Sequence, residues 1–172
     1  VLAAGAWSAP IAAQLELRLP LQPGKGYSIT MARPAVCPRI PCSFAERRVV
    51  ATPWPSGYRL GGTMEFSGFS TALDPRRLAA LAAAAGEYLT DPVGHPVVEE
   101  WTGLRPMTYD DLPVIGRAGR FQNLFLATGH GMLGVTTAPA TGKLVAELIC
   151  GQPPHIDPSP FSVGRFGSHR YS

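Results

Sequence analysis

The sequence predicts a mixed α/β (α+β) fold in which two glycine-turn segments, one at each end, bracket an inserted and mainly antiparallel sheet. Residues 124–151 (LFLATGHGMLGVTTAPATGKLVAELICG) run from an apolar strand through a glycine-punctuated turn into a helix, and residues 1–8 (VLAAGAWS) run from a strand end into a similar turn. The middle of the chain is rich in β-formers and turn residues. Because a helix N-terminus presents free backbone N–H groups, the first segment favours a site for an anion or an electron-rich ring.

Composition excludes several classes of protein. The chain has 172 residues, 45% hydrophobic and 16% charged, which supports a globular core and argues against disorder. The net charge is only +3 and the basic residues are scattered, so no nucleic-acid partner is expected. Three cysteines are an odd number and no zinc spacing occurs, so we expect no metal site and a reducing compartment. The expected location is the cytoplasm, with peripheral attachment at the inner membrane as an alternative.

The first part of the chain is predicted to alternate short strands with turns. Gly5 allows a tight turn, after which Ser8 or Pro10 can begin a short helix. The predicted elements are, in order, a strand end at 1–4, a helix ending at 15, a strand at 26–31, a proline-rich loop or interrupted edge strand at 33–41, and a hairpin of 48–52 and 58–64 around the turn 53–57.

The second part begins with the strongest local helix signal. Asp74 is a good N-cap and Pro75 suits the first helical position, so a helix is predicted over 76–89. The elements predicted after it are a strand at 97–104, a turn-rich stretch at 109–119 in which Asp110 and Asp111 form or cap turns, a strand at 124–127 and a helix at 135–150. Residues 1–16 and 105–151 are therefore predicted to form one domain around a second domain, 17–104, with 152–172 as an extended tail.

Six short motifs occur in a fixed order along nearly the whole chain. They are residues 1–8 (VLAAGAWS), 23–28 (PGKGYS), 61–66 (GGTMEF), 101–106 (WTGLRP), 111–116 (DLPVIG) and 129–134 (GHGMLG). In this order they resemble the C-terminal half of the FAD-dependent oxidoreductases of the D-amino-acid oxidase family. The likeness is greatest to the bacterial D-amino-acid dehydrogenases of that family.

The resemblance implies a fold and an activity. The end segments would be the C-terminal part of an FAD-binding Rossmann-like domain, and 17–104 the inserted substrate-binding sheet. The implied reaction is oxidative deamination of a D-amino acid by hydride transfer from Cα to flavin N5, giving a 2-oxo acid and ammonia. The electron acceptor would be a quinone or oxygen, and no residue is identified as a catalytic acid or base.

One departure from the family is large. The family begins with a strand and a G-x-G-x-x-G turn that binds the cofactor pyrophosphate, and this chain contains no such turn. Either the sequence is incomplete, or another chain supplies that half, or the chain is an inactive remnant. A non-catalytic fragment or subunit that needs a partner is therefore one alternative function, and a sarcosine-, glycine- or proline-type amine oxidase is another.

The candidate site residues follow from chemistry and from the resemblance. A planar guanidinium can hold a carboxylate through two parallel charge-assisted hydrogen bonds, and the family uses the arginine of the Leu-Arg-Pro motif, here Arg105, for this purpose. Tyr27 and Met132 are the other predicted substrate contacts. Where glycine-oxidase relatives can carry a second basic residue, Met132 suits a roomier apolar pocket. The predicted cofactor contacts are Gly5, Ala6, Gly129, His130, Gly131, Met132, Leu133, Gly134, Val135 and Thr136.

Overall fold

The computed structural model describes residues 1–119 and 121–167, and the chain divides into two compact units. The discontinuous unit comprises Val1–Gly24 and Arg105–Ser172, and the inserted unit comprises Lys25–Leu104. The mixed α/β prediction is confirmed. The first unit boundary falls after residue 24 rather than after residue 16, and the roles predicted for the two domains stay predictions.

The inserted unit contains most of a five-stranded sheet with the strand order β2-β3-β4-β1-β5. The strands are β1 Gln22–Met31, β2 Cys42–Phe44, β3 Val49–Trp54, β4 Gly57–Glu65 and β5 Val97–Met107. The pairs β1–β4, β2–β3 and β3–β4 are antiparallel. Helix α2, Pro75–Gly86, buries Leu78, Leu81 and Ala85 against the core side chains of this unit.

Local signals fixed the main elements of the inserted unit. The Asp74 side chain accepts a hydrogen bond from the Arg76 N–H at 2.9 Å, and Pro75 occupies the first helical turn, as predicted. The hairpin is also confirmed, although Trp54 pairs with Gly57, so the turn is tighter than 53–57. The proline-rich stretch 33–41 contains no strand, and the short edge strand β2 that follows it was not predicted.

The discontinuous unit is built around a small sheet and a long helix. Its elements are α1 Ser8–Ala13, β6 Val114–Arg117, β7 Phe125–Thr128, α3 Gly134–Ile149 and short 3-10 helices at Gly5–Trp7, Ser159–Phe161 and Val163–Phe166. Strands β6 and β7 are antiparallel. Leu2 adds a parallel bridge to β7 through hydrogen bonds to Phe125 (2.7 Å) and from Ala127 (3.0 Å), so the predicted strand end is present. Strand β6 lies inside the stretch predicted as turns.

The predicted extended tail, 152–172, is wrong for its described part. Two 3-10 helices form after residue 158, and Val163 is buried in the core of the discontinuous unit with Ala12, Leu19 and Leu126. Nearer the start of this segment, the backbone N–H of His155 donates to the Glu147 carboxylate of α3 at 2.9 Å. The Nδ1 of His155 pairs with the same carboxylate at 2.8 Å. The segment is therefore packed because a few of its side chains find distant partners, although its composition is that of a loop. Residues 168–172 lie outside the described residues.

The described residues contain neither a membrane-spanning helix nor a cluster of metal ligands. Among residues 1–119 and 121–167, no helix has both the length and the apolar character that a membrane crossing requires. In the same part of the chain, no group of three or more His, Cys, Asp and Glu side chains is placed to hold a metal ion.

Candidate functional site

Three segments of the discontinuous unit meet at the glycine turn that precedes α3. The Thr128 hydroxyl donates to the carbonyl of Gly5 at 3.2 Å, which joins the first turn of the chain to the end of β7. The N–H of Gly131 donates to the carbonyl of Pro106 at 3.0 Å, which joins the same turn to the Leu-Arg-Pro motif. The structure thus brings together three of the segments that sequence motifs predicted to act together.

The backbone of this turn requires glycine. Gly129 has φ +77° and Gly131 has φ +53°, both in the left-handed region that disfavours a side chain. A Cβ added at Gly129 would lie 3.0 Å from Cγ2 of Thr108 and 3.2 Å from Cδ2 of Leu21. The glycine at 129 is therefore fixed by both conformation and space.

Gly5 differs from Gly129 in what surrounds it. It also has a positive φ, +55°, but a Cβ built there would have no atom within 4 Å. The adjoining Ala6 is buried, with 1% of its surface exposed. The first turn therefore has a buried residue, Ala6, beside an open space at Gly5, whose carbonyl accepts the hydrogen bond from Thr128.

The N-terminus of α3 has no side-chain cap. Leu133 occupies the N-cap position, and the Thr137 N–H donates to the Leu133 carbonyl at 2.9 Å. The N–H groups of the first turn have no partner within a helix by geometry, and they carry the positive end of the helix dipole. Met132 (67% exposed), Leu133 (61%) and Val135 (93%) surround these donors with apolar surface. The arrangement favours a flat, partly apolar acceptor of hydrogen bonds.

Arg105 lies at the end of β5, next to the Pro106 carbonyl that contacts the turn. Its side chain is half-buried, and burial lowers the pKa of its guanidinium from the ordinary value. Arginine nevertheless stays protonated in proteins, so the group is a cation held in a partly desolvated place. Such a cation binds an anion more strongly than an arginine in bulk water does.

His130 is held by its side chain within the protein. Its Nε2 lies 3.0 Å from the Thr141 hydroxyl of α3, and burial lowers the pKa of the imidazole. The lowered pKa favours the neutral ring, which connects the turn to the middle of the α3 helix that follows it. This contact gives the His130 side chain a structural role, and its backbone is the part that borders the turn.

Tyr27 lies in the inserted unit and is buried, with 2% of its surface exposed. Its hydroxyl donates to Oε2 of Glu65 at 2.5 Å, and Lys25, itself 2% exposed, lies 3.3 Å from Oε1 of the same carboxylate. Arg77 adds a third contact to Glu65 at 3.4 Å. This network engages the hydroxyl of Tyr27, and the substrate contact predicted for Tyr27 stays a prediction.

The Glu65 network predicts acid sensitivity of the inserted unit. Hydrogen bonds from Tyr27, then Ser67 and Lys25, lower the pKa of Glu65 to about 2. A lowered pKa in the folded state stabilises the protein above the ordinary value of 4.5, and this stabilisation is lost as the pH falls from there towards about 2. In urea unfolding, Glu65→Gln should lower the midpoint at pH 6, and the gap to the parent protein should narrow towards pH 2.5. The exposed Glu100→Gln serves as the matched control, and an equal gap at both pH values would contradict the prediction.

Several residues of the site escaped the sequence analysis. Asp110 was predicted to form a turn, and its Oδ1 indeed accepts the Leu112 N–H at 3.2 Å. It also forms an ion pair at 2.7 Å with Arg165, a residue that the sequence analysis did not single out. Thr128, which contacts Gly5, was missed as well. Hydrogen bonds between segments far apart in sequence leave no periodic signal, so no local pattern could have indicated them.

Comparison with known protein families shows which family this chain belongs to. Residues 1–148 match the model of the family described as FAD dependent oxidoreductase (DAO). The chain belongs to this family. Membership confirms the resemblance drawn from the six motifs.

Relatives with curated names are similar along almost all of the DAO-family chain. The D-amino acid dehydrogenase of Xanthobacter autotrophicus is 40% identical over 170 residues, which are 96% of this chain and 40% of the relative. The D-amino acid dehydrogenase of Neisseria gonorrhoeae is 38% identical over 168 residues, again 96% of this chain and 40% of the relative. The chain thus spans about 40% of the length of the curated relatives it matches.

A solved structure supports the fold. The crystal structure of glycine oxidase from Geobacillus kaustophilus has a TM-score of 0.87 and 30% sequence identity, and it covers 95% of this chain and 44% of its own. The backbone arrangement described above is therefore that of part of a known FAD dependent oxidoreductase fold.

Proposed function

We propose that this chain supplies the substrate-binding half of an enzyme that oxidatively deaminates D-amino acids, with FAD as cofactor. The assembled enzyme means this chain together with a nucleotide-binding half, in one polypeptide or in two. The observation that carries the proposal is the hydrogen bond from Gly131 to Pro106, because it connects the residue after Arg105 to the turn that precedes the uncapped N-terminus of α3. The names of the relatives at about 40% identity support the choice of substrate class.

The residues of the discontinuous unit fit FAD. The first-turn N–H groups of α3 would donate to the electron-rich edge of the flavin ring, which is stabilised there when it gains negative charge. Gly129 and Gly131 would let the backbone approach the ring, and the open space at Gly5 would accommodate the cofactor on the other side of Thr128. Exposed Met132 and Val135 offer apolar surface to a flat ring. FAD, when bound, would supply the acceptor for the hydride that leaves the substrate Cα.

The chain's own residues would then bind and orient the substrate. The Arg105 guanidinium would hold the substrate carboxylate in a two-point contact, which restricts rotation of the Cα–H bond and so lowers the entropic cost of reaction. Loss of a hydride from Cα and a proton from the amine leaves an imine, and water converts the imine to a 2-oxo acid and ammonia. The amine must lose its proton before reaction, and we assign no acid or base among the described residues to this step.

Met132 bears on the choice of amino acid. It is 67% exposed in this structure and would border the substrate side chain with an unbranched apolar group. Met132 would contact the side chain of a larger amino acid, whereas glycine has no side chain for it to contact. A larger D-amino acid is therefore favoured over glycine as the substrate, although a glycine oxidase is a structural relative.

The substrate class is tested by steady-state kinetics of the assembled enzyme with an artificial electron acceptor. We expect kcat/KM for D-alanine to exceed that for glycine by at least about tenfold, since one buried methyl group is worth about 1–3 kcal/mol. L-alanine, sarcosine and D-proline complete the series, and oxygen uptake without the added acceptor distinguishes an oxidase from a dehydrogenase. Fastest turnover of sarcosine, D-proline or glycine would instead identify a different amine oxidase.

The alternative of a non-catalytic subunit has its own measurement. The chain alone and the assembled enzyme are purified, and the flavin absorbance per polypeptide is compared. A colourless chain that gains flavin only with a nucleotide-binding half is expected in either case, so turnover decides. An assembled enzyme that binds FAD and oxidises none of the amino acids above would reject the deamination proposal.

A further inference from the structure

The guanidinium of Arg165 makes an unusually complete set of contacts in the discontinuous unit. Its Nε and Nη2 bind both carboxylate oxygens of Asp110 at 2.7 and 3.1 Å. The Nη2 also donates to the carbonyl of Leu112 at 2.8 Å, and the Nη1 donates to the carbonyls of Pro113 (3.1 Å) and Ser162 (3.2 Å). All three guanidinium nitrogens are therefore used, and the side chain is only 15% exposed.

These contacts connect Arg165 to one bend of the chain, residues 108–113. Within the bend, the Thr108 hydroxyl donates to the same Leu112 carbonyl at 2.9 Å, and Asp110 accepts the Leu112 N–H at 3.2 Å. Asp111 has φ +59°, a left-handed conformation typical of tight bends that Asp adopts more readily than most other non-glycine residues. Hydrogen bonds thus involve four of the six residues of the 108–113 bend, and Arg165 provides those that come from a distant part of the sequence.

The 108–113 bend borders the glycine turn of the site. A Cβ built at Gly129 would lie 3.0 Å from Cγ2 of Thr108 and 3.4 Å from the Val114 nitrogen. A Cβ built at Gly131 would lie 3.3 Å from Oδ1 of Asp111. Immediately before the bend, Pro106 accepts the Gly131 N–H. A displacement of the bend by a few tenths of an ångström would therefore reach both the turn and Arg105.

From this geometry we infer that Arg165 is a positioning residue, which acts through the 108–113 bend to hold Arg105 and the 129–131 turn in register. The expected effect on catalysis rests on the proposed function, whereas the effect of Arg165 on the structure of the bend and the turn does not. Arg165 itself does not bind substrate, because its donors are used by Asp110 and by three backbone carbonyls. The Arg165 guanidinium also lies over the ring of Phe166, 4.1 Å from the ring centroid. That ring contacts Tyr109 edge-on at 5.1 Å, so two residues of the same short 3-10 helix contact the bend.

The Arg165→Lys substitution distinguishes the effect of the positive charge from the effect of the guanidinium geometry. It keeps the positive charge, but a single ammonium cannot reproduce the fork that binds Asp110 and the carbonyls together. In Arg165→Lys of the assembled enzyme we expect kcat/KM for D-alanine to fall by about 10- to 100-fold. The loss should appear mainly in KM, because a displaced Arg105 holds the carboxylate less well in the bound substrate and in the transition state alike. FAD content should change little, whereas the unfolding midpoint should fall, because Asp110 and three backbone carbonyls lose guanidinium donors. Arg117→Lys is the matched control, since Arg117 lies in the same unit and donates to the Gln122 carbonyl, away from the bend.

A second readout does not depend on activity. Amide hydrogen exchange at Gly131 reports its bond to Pro106, and Arg165→Lys should accelerate it several-fold while amides of β3 and β4 in the inserted unit keep their rates. Asp110→Asn should act through the same link, so the double variant should be no worse than the poorer single variant. If Arg165→Lys changes neither the Gly131 exchange rate nor KM, the positioning role is rejected. If the parent enzyme does not oxidise D-amino acids, the proposed function fails, and the exchange measurement alone then decides whether Arg165 holds the turn.

Discussion

Arg105→Ala is expected to lower kcat/KM of the assembled enzyme for D-alanine by roughly 10²–10³-fold. The two charge-assisted hydrogen bonds that a guanidinium makes to a carboxylate contribute about 1.5–2 kcal/mol each, hence about 3–4 kcal/mol together. Every interval of about 1.4 kcal/mol corresponds to a factor of ten. Most of the loss should appear in KM, because the carboxylate is present in the free substrate and in the transition state alike.

Arg105→Lys refines this test. The lysine keeps a cation at the end of β5 but contributes a single point charge, so we expect an intermediate loss of about tenfold to a hundredfold. The FAD content of each variant, measured by absorbance, separates damage to substrate binding from loss of cofactor. Arg76→Ala is the control because its side chain is 92% exposed and pairs only with its neighbour Asp74 in the inserted unit. Full activity of Arg105→Ala with bound FAD would remove Arg105 from the substrate site.

The parts of the fold predicted correctly are those whose cause lies within a few residues. Asp74 and Pro75 begin α2 because a carboxylate cap and a preset φ act locally. The β3–β4 hairpin follows from strand-forming residues on both sides of the Pro55-Ser56 turn. In both cases the local preference agrees with the tertiary packing, so the sequence pattern was sufficient.

The errors arise where an element is too short to show a pattern or where its partner is distant in the sequence. Strands β2 and β6 have three and four residues, too few for a periodic signal, and they exist because a neighbouring strand supplies their hydrogen bonds. The tail was predicted as extended from its Pro, Ser and Gly content. Its order comes from the burial of Val163 and from the Arg165–Asp110 pair, whose members are 55 residues apart.

The candidate site shows the same division. The glycine turn and the Leu-Arg-Pro motif were found as segments, and their hydrogen-bonded contact through Pro106 and Gly131 appears only in three dimensions. For Tyr27, the alternating pattern predicted a strand but could not say which face of the sheet its side chain occupies. In a strand, one residue of register decides between the core and a ligand-facing surface, and here Tyr27 lies in the core.

Gly129→Ala is the substitution expected to damage the cofactor side of the site most. At φ +77° an alanine costs about 1–2 kcal/mol in backbone strain alone. The new methyl group would also meet Thr108 at 3.0 Å, Leu21 at 3.2 Å and the Val114 nitrogen at 3.4 Å, so the turn must move. We expect a loss of about 2–3 kcal/mol in the free energy of unfolding, measured by urea titration. The displaced turn should also reduce the FAD retained per polypeptide after gel filtration.

Gly142→Ala provides the sharpest comparison, because the same chemical change should have the opposite sign. Gly142 lies inside α3, and an added Cβ there has nothing within 4 Å. Alanine is favoured over glycine in a helix by about 0.5–1 kcal/mol, so this variant should be more stable than the parent and retain its FAD. Equal stability of the two variants would show that the backbone at 129 is not constrained as described. A destabilised Gly129→Ala that still keeps its full FAD would separate the turn from the cofactor, since a displaced set of backbone donors cannot hold the ring as the original set does.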